Sequence, residues 1–194
     1  MGEPAVQPYV SYAEYLEMEA KSATKHEWLD GVVYDMAGGT LEHAGLAAAV
    51  IRRLGNQLEG KPCRVFTADL KIRVLATGLS TYPDVSVICG RPQLDPESQG
   101  SVVTNPTVLV EVLSDSTEAY DRGEKFAHYR RIPSLREYVL VGQKTPLIEV
   151  FRKNEAGLWV LVAEAGAGEA ATLESVGCTL AVDDVYADPL AAAG

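Results

Sequence analysis

The sequence predicts one α/β domain in which a mixed β-sheet is flanked by helices. Three observations lead there. The stretch TVLVEVLSDST, residues 107 to 117, contains an apolar run of strand length, the pattern of a strand covered on both faces. Residues 41 to 59 repeat Leu46, Val50, Leu54 and Leu58 at helical spacing. The elements run helix, hairpin, helix, strands, helix, strands, with no repeat and no clear linker. The domain is therefore expected to span residues 1 to 194, with its core over about 10 to 165.

Each element has a local cause. Ser11 and Glu14 form a capping box ahead of a short helix that ends near Ala20. In KHEWLDGVVYDM, Asp30-Gly31 separates two short alternating runs, a strong hairpin signal. Gly38-Gly39 breaks the chain, and Thr40 caps the helix over 41 to 59. Strands are expected at 64–67, 70–75 and 84–89, with a loop at 77–83 and a mobile, polar, Pro-containing loop at 91–100. The central strand covers 107–113. A helix over 117–131, capped around Asp115 and ended with the help of Pro133, comes next. Strands at 136–141, 147–152 and 158–163 follow, then an Ala- and Gly-rich remainder with a short element at 182–186 and a loose tail at 187–194.

Composition narrows the function. Hydrophobic residues make up 47% and charged residues 23%, the balance of a globular protein. No apolar stretch approaches the ~20 residues a membrane helix needs. The start MGEPAVQPYV lacks a basic segment and an apolar core, so no secretory signal is read and a cytoplasmic location is expected. Cys63, Cys89 and Cys178 lie far apart with no C-x-x-C pair. They are expected as small, reduced core residues, not as a zinc site or disulfide frame. A net charge of −10 argues against non-specific coating of nucleic acid, which needs Lys and Arg on phosphates. It suits a carboxylate site that takes divalent cations. Lys71, Arg73 and Arg91, with Arg122, Lys125 and Arg130, are the candidates for a local positive rim.

Glu111 is the anomaly in the central strand. A carboxylate in an apolar strand is costly unless it is paired, hydrogen-bonded or bound to metal. A second acid, Asp84, follows Pro83 in TYPDVSVIC. Adjacent strands would bring Asp84 and Glu111 to one sheet edge, where two carboxylates repel and one is driven toward protonation. A hard divalent cation such as Mg²⁺ removes that conflict, with the Val112 carbonyl as the third protein ligand. The alternative is a Glu111 that accepts a bond from a neighbouring Arg or Tyr.

TYPDVSVIC and LVEVLSDSTEAYDRGEKFAHYRRIPSLREYVLV carry a resemblance, as do the earlier segments KHEWLDGVVYDMAGG, LEHAGLAAAVIRRL and PCRVFTADLKIRV. In this order, over nearly the whole chain, they resemble the bacterial Uma-two family of the PD-(D/E)XK restriction-endonuclease-like superfamily. The resemblance implies a restriction-endonuclease-like core and Mg²⁺- or Mn²⁺-dependent cleavage of DNA phosphodiesters. The superfamily carries a lysine two residues after the glutamate, a slot held here by Leu113. Lys125, on the following helix with Asp121 and Tyr129 on its face, is the natural substitute. Glu27 matches the family's early acidic position and would contact a second or water-bridged ion. Asp69 and His43 also fall in resembling segments. Asp69 would orient a basic residue or line the cleft, and His43 reads as a helix-edge residue more than a ligand.

Two function classes follow. The first is a metal-dependent DNA endonuclease in which Asp84, Glu111, Val112 and Glu27 hold metal and Lys125 orients the attacking water. A homodimer is one arrangement that would cut both strands. The second is a catalytically inactive nuclease-fold module that binds DNA or protein, favoured by Leu113 and the negative charge. A hydrolase of small phosphoesters ranks last, because no Gly-rich phosphate cradle is present.

Overall fold

Helix α1 (Tyr12–Glu19) starts at the expected capping box, with the Ser11 and Glu14 side chains each bonded to the other's backbone N–H. The structure is a computed structural model and describes residues 9 to 36, 38 to 98, 100 and 102 to 188. Of the tail expected to be loose, residues 189 to 194 lie outside the described residues. Strands β1 (His26–Leu29) and β2 (Val32–Asp35) form the predicted hairpin. Asp30 and Gly31 both take positive φ, 48° and 85°, as a tight two-residue turn demands. The Thr40 hydroxyl caps α2 (Leu41–Leu58), which buries the predicted stripe Leu46, Val50, Leu54 and Leu58.

Strands β3 (Cys63–Thr67), β4 (Lys71–Arg73), β5 (Ser80–Thr81), β6 (Val85–Cys89), β7 (Val102–Val103) and β8 (Val108–Leu113) follow. After the helical segment come β9 (Glu137–Gly142), β10 (Leu147–Lys153), β11 (Trp159–Gly166), β12 (Ala170–Leu173) and β13 (Cys178–Ala181). The main sheet has the order β11-β10-β9-β8-β6-β3, with β8 parallel to β9 and antiparallel to β6. A second sheet has the order β2-β1-β5-β4-β7, and β12-β13 form a third. The fold is thus mixed α/β with sheets flanked by helices.

Strand β8 divides two cores. Val108, Val110 and Val112 pack with the α2 stripe, while Leu109 and Leu113 join Phe126, Tyr129, Tyr138 and Leu140 on the other face. Strand alternation puts Glu111 on this second face, between Leu109 and Leu113.

Several expectations change. The loop at 77–83 contains β5, whose partners β1 and β4 are distant in sequence. The loop at 91–100, expected to be mobile, is tied down: Tyr12 Oη donates to the buried Asp95 at 2.6 Å, and Leu94 bridges Val103. The helix over 117–131 is three pieces, α3 (Glu118–Tyr120), a π-helical turn (Asp121–Lys125) and α4 (Phe126–Tyr129). The Ala- and Gly-rich remainder forms the β12-β13 hairpin before α5 (Val182–Val185).

The cysteine reading is corrected as well. Cys63 and Cys89 face each other across β3 and β6 and form a disulfide, because the antiparallel register makes residues distant in sequence direct neighbours. Cys178 is free and buried. Among the described residues, no helix is long and apolar enough to cross a membrane.

Candidate active site

Asp84 and Glu111 meet, but not at a sheet edge. They sit where β6 begins and β8 ends, two interior strands of the main sheet. Val85 pairs with Val110, and continuing that register sets Asp84 opposite Glu111 and Pro83 opposite Val112. The Asp84 N–H donates to Glu111 Oε2 at 3.4 Å, and the Val112 N–H donates to Asp84 Oδ2 at 2.8 Å. A strand residue presents its N–H and C=O to the same side, so the Val112 carbonyl also faces Asp84. Pro83, opposite it, has no N–H to donate. The Pro-Asp pair therefore ends the ladder where the Asp84 and Glu111 carboxylates and the Val112 carbonyl are neighbours.

The π-helical turn completes the cluster. Its wider turn brings Asp121 and Lys125, four residues apart, over the end of β8. Lys125 Nζ lies 3.0 Å from Glu111 Oε1 and 3.4 Å from both Glu27 Oε1 and Asp121 Oδ1. These four side chains are all buried. Tyr129 Oη donates to Glu111 Oε1 at 2.8 Å. Thr81 Oγ1 and Tyr120 Oη donate to the two oxygens of Glu27. On the open side, His43 Nε2 lies 3.0 Å from Asp84 Oδ1.

The electrostatics follow from burial and charge imbalance. Four carboxylates, Asp84, Glu111, Glu27 and Asp121, face Lys125 and His43. Burial pushes the Glu111 carboxyl well above the usual range; Lys125 opposes that rise, while Asp121 and Asp84 add to it. Burial raises Asp121 too, against the pull of Lys125. Burial works against the charge on Lys125, yet Glu111, Glu27 and Asp121 outweigh it and hold the ammonium well above an ordinary lysine. His43 is raised first by its bond to Asp84. Burial, then the negative charge of Glu111, lifts Tyr129 far above a free phenol, so it remains a donor.

A divalent cation fits this chemistry. The excess of carboxylates is relieved by positive charge, and the donors are all oxygen. Among the described residues, no three His, Cys, Asp or Glu side chains form a ready-made metal cage. Mg²⁺ does not require one, since it is usually held by one or two carboxylates with waters and substrate oxygens.

All five sequence candidates, Asp84, Glu111, Val112, Lys125 and Glu27, come together. Asp69 does not; it pairs with Lys25 at 2.6 Å away from the cluster. The proposed positive rim is not assembled. Lys71 and Arg73 are buried, Arg122 forks onto Glu149, and Lys125 faces inward, which leaves Arg91 and Arg130 exposed. Sequence reasoning undervalued His43, whose contact with Asp84 spans 41 residues. It placed Asp121 on the Lys125 face without giving it a role. The spacing of Asp121, Lys125 and Tyr129 was the signal available for that residue.

Comparison with known proteins gives the family and the fold. A family model, Uma2, described as "Putative restriction endonuclease", matches residues 12–183. A protein of Synechocystis sp. (strain ATCC 27184 / PCC 6803 / Kazusa), "Uncharacterized protein slr1290", is 40% identical over 181 residues, 92% of each chain. Another from that organism, "Uncharacterized protein sll1609", is 34% identical over 149 residues, covering 77% of this chain and 84% of the relative. A crystal structure from Anabaena variabilis ATCC 29413, described as a putative nuclease belonging to DUF820, superposes with a TM-score of 0.68 at 15% identity. It covers 88% of this chain and 96% of that one, and the shared fold is restriction-endonuclease-like.

Proposed function

This chain belongs to the Uma2 family, and on that premise we propose that it is a metal-dependent endonuclease that hydrolyses phosphodiester bonds in DNA. The observation that carries the reading is the approach of the Lys125 ammonium to Glu111, 3.0 Å away, at the mouth of the Asp84–Glu111 pair. Leu113 in the superfamily's lysine slot argued for a dead site. A lysine delivered from the helix to the same carboxylate weakens that argument.

Asp84, Glu111 and the Val112 carbonyl are the residues that would hold Mg²⁺ or Mn²⁺, with Glu27 available to a second or water-bridged ion. When bound, such an ion supplies charge to the scissile phosphate and acidifies a water. The protein's own groups do the rest. Tyr129 fixes one oxygen of Glu111 and leaves the other turned toward Asp84. Lys125 orients the attacking water and offsets negative charge that grows on the phosphorus centre. Asp121 holds the lysine in place from its own helical turn. A pair of subunits would cut both strands.

The test is nicking of supercoiled plasmid in Mn²⁺, Mg²⁺ and chelator. The reading expects cleavage that needs metal and is lost in Glu111→Gln. Metal should also raise the melting temperature of wild type and not of Glu111→Gln, because it binds the folded state through that carboxylate. Metal binding without cleavage of any DNA would favour the inactive, DNA- or protein-binding module instead.

A further inference from the structure

The second sheet has two faces. Glu27 and Thr81 look from one toward the candidate active site. Strand alternation puts Trp28, Ser80, Tyr82, Lys71 and Arg73 on the other, beneath α1. Two cations are sunk into that face. Arg73 has its main partners within the fold: its guanidinium lies 3.6 Å from the Tyr12 ring centroid and Nη1 donates to the Gly78 carbonyl, while Nε has no hydrogen-bond partner among the described residues.

Lys71 is not accounted for. It is 5% exposed, with Nζ 4.5 Å from the Tyr15 centroid and 5.2 Å from that of Tyr82. Among the described residues, it has no carboxylate at ion-pair distance and no hydrogen-bond acceptor. The nearby Glu19 is committed elsewhere, to the His26 N–H at 3.0 Å, His26 Nδ1 at 2.8 Å and Tyr82 Oη at 2.8 Å. A buried charge without a partner is costly, and cation–π contacts offset only part of that cost. Lys71 lines a cavity of about 430 Å³, a volume that suits a small molecule. Leu16, Ala13, Ala20 and Tyr82 give it apolar walls, and four carboxylates line it: Glu19 and Asp69, already paired with His26 and Lys25, and the exposed Glu17 and Glu97.

We propose that this cavity binds a small monocarboxylate with an apolar body, its carboxylate on the Lys71 ammonium and its body against Leu16 and Tyr82. Three features select that class. An ammonium lacking an internal acceptor calls for an anion. The walls offer apolar contact. The carboxylates of Glu17 and Glu97 repel a second negative charge, which disfavours phosphate dianions and nucleotides. The site lies across the sheet from Asp84 and Glu111 and does not depend on their binding metal.

The experiment is an NMR titration of the full chain, in chelator, with benzoate, hexanoate and inorganic phosphate. At least one carboxylate should give saturable shifts around Lys71, Leu16 and Tyr82, and phosphate should not. Lys71→Met should weaken that binding by about tenfold or more, at least ~1.4 kcal/mol, and Lys71→Arg should retain it within a few-fold. The double variant Glu17→Gln, Glu97→Gln keeps Lys71 and leaves the core intact; it should tighten carboxylate binding at low salt and admit phosphate. The proposal is overturned if neither carboxylate saturates, if shifts map elsewhere, if Lys71→Met binds as well as wild type, or if phosphate competes equally in wild type.

Discussion

Replacing Lys125 with Met tests the electrostatic account most severely. The change keeps the stem's volume and removes the ammonium. Nζ lies 3.0 Å from Glu111 and 3.4 Å from Glu27 and Asp121, and each of these side chains is less than a tenth exposed. At an effective dielectric of ~20, attraction at 3.0 Å is roughly 5 kcal/mol for one unit pair. Desolvation of both ions offsets much of it, but removing one partner strands the others, at a cost of about 3–5 kcal/mol. For a chain of this length each kcal/mol shifts the melting temperature by about 2–4 °C, so the metal-free variant should melt roughly 6–20 °C below wild type. The sign with pH follows. Without the ammonium, Glu111 and Asp121, already raised by burial, rise further above their unfolded values, so the folded variant holds protons that the unfolded chain releases. Stability then falls as pH rises from the unfolded carboxyl value through the raised folded one, and the deficit should shrink on acidification. The assay is a set of thermal melts in chelator from about pH 5 to 8. A deficit under about 1 kcal/mol, or one that ignores pH, would refute the coupling of Lys125 to these carboxylates.

Other outcomes follow from the same structure. His43 has its pKa raised by Asp84, so its contribution to stability is full below the unfolded histidine value of ~6.5 and lost as pH rises through the folded value. His43→Gln should remove that component of the pH profile in chelator, and an unchanged profile would detach His43 from Asp84. Reduction of Cys63–Cys89, or Cys63→Ser, opens a link across 26 residues of sequence and should cost about 3–4 kcal/mol by chain entropy, read as a lower denaturation midpoint. In Lys125→Ala, adding Leu113→Lys should recover part of the lost DNA cleavage, because position 113 shares the Glu111 face. Recovery should be incomplete, since Leu113 packs with Phe126 and Tyr138 and its loss weakens that core. A folded double variant with no recovery would sink the idea that the two lysine positions are equivalent.

What the sequence showed was governed by range. The Asp30-Gly31 hairpin, the Ser11 and Thr40 caps and the α2 stripe depend on neighbours within a few residues, and all were legible. The meeting of Asp84 with Glu111 was legible as well, because a costly carboxylate in an apolar strand demands a partner. The two-residue strands β5 and β7 were not, since their pairing is entirely non-local and too short to leave a periodic trace. The same holds for the disulfide, where only the β3–β6 register makes Cys63 and Cys89 neighbours. The positive rim failed for a related reason. Charge in a sequence says nothing of which side chains stack under α1 or fork onto Glu149. The π-helical turn left no distinct mark either, although the spacing of Asp121, Lys125 and Tyr129 already pointed one face at Glu111.

Anomalous diffraction from a crystal soaked in Mn²⁺ tests the central claim most directly. The account predicts a peak bonded to carboxylate oxygens of both Asp84 and Glu111 and to the Val112 carbonyl, with Lys125 Nζ near the ion but outside its ligand set. An occupied Mn²⁺ peak elsewhere in the molecule, with Asp84 and Glu111 still bonded only to protein groups at saturating metal, would contradict it.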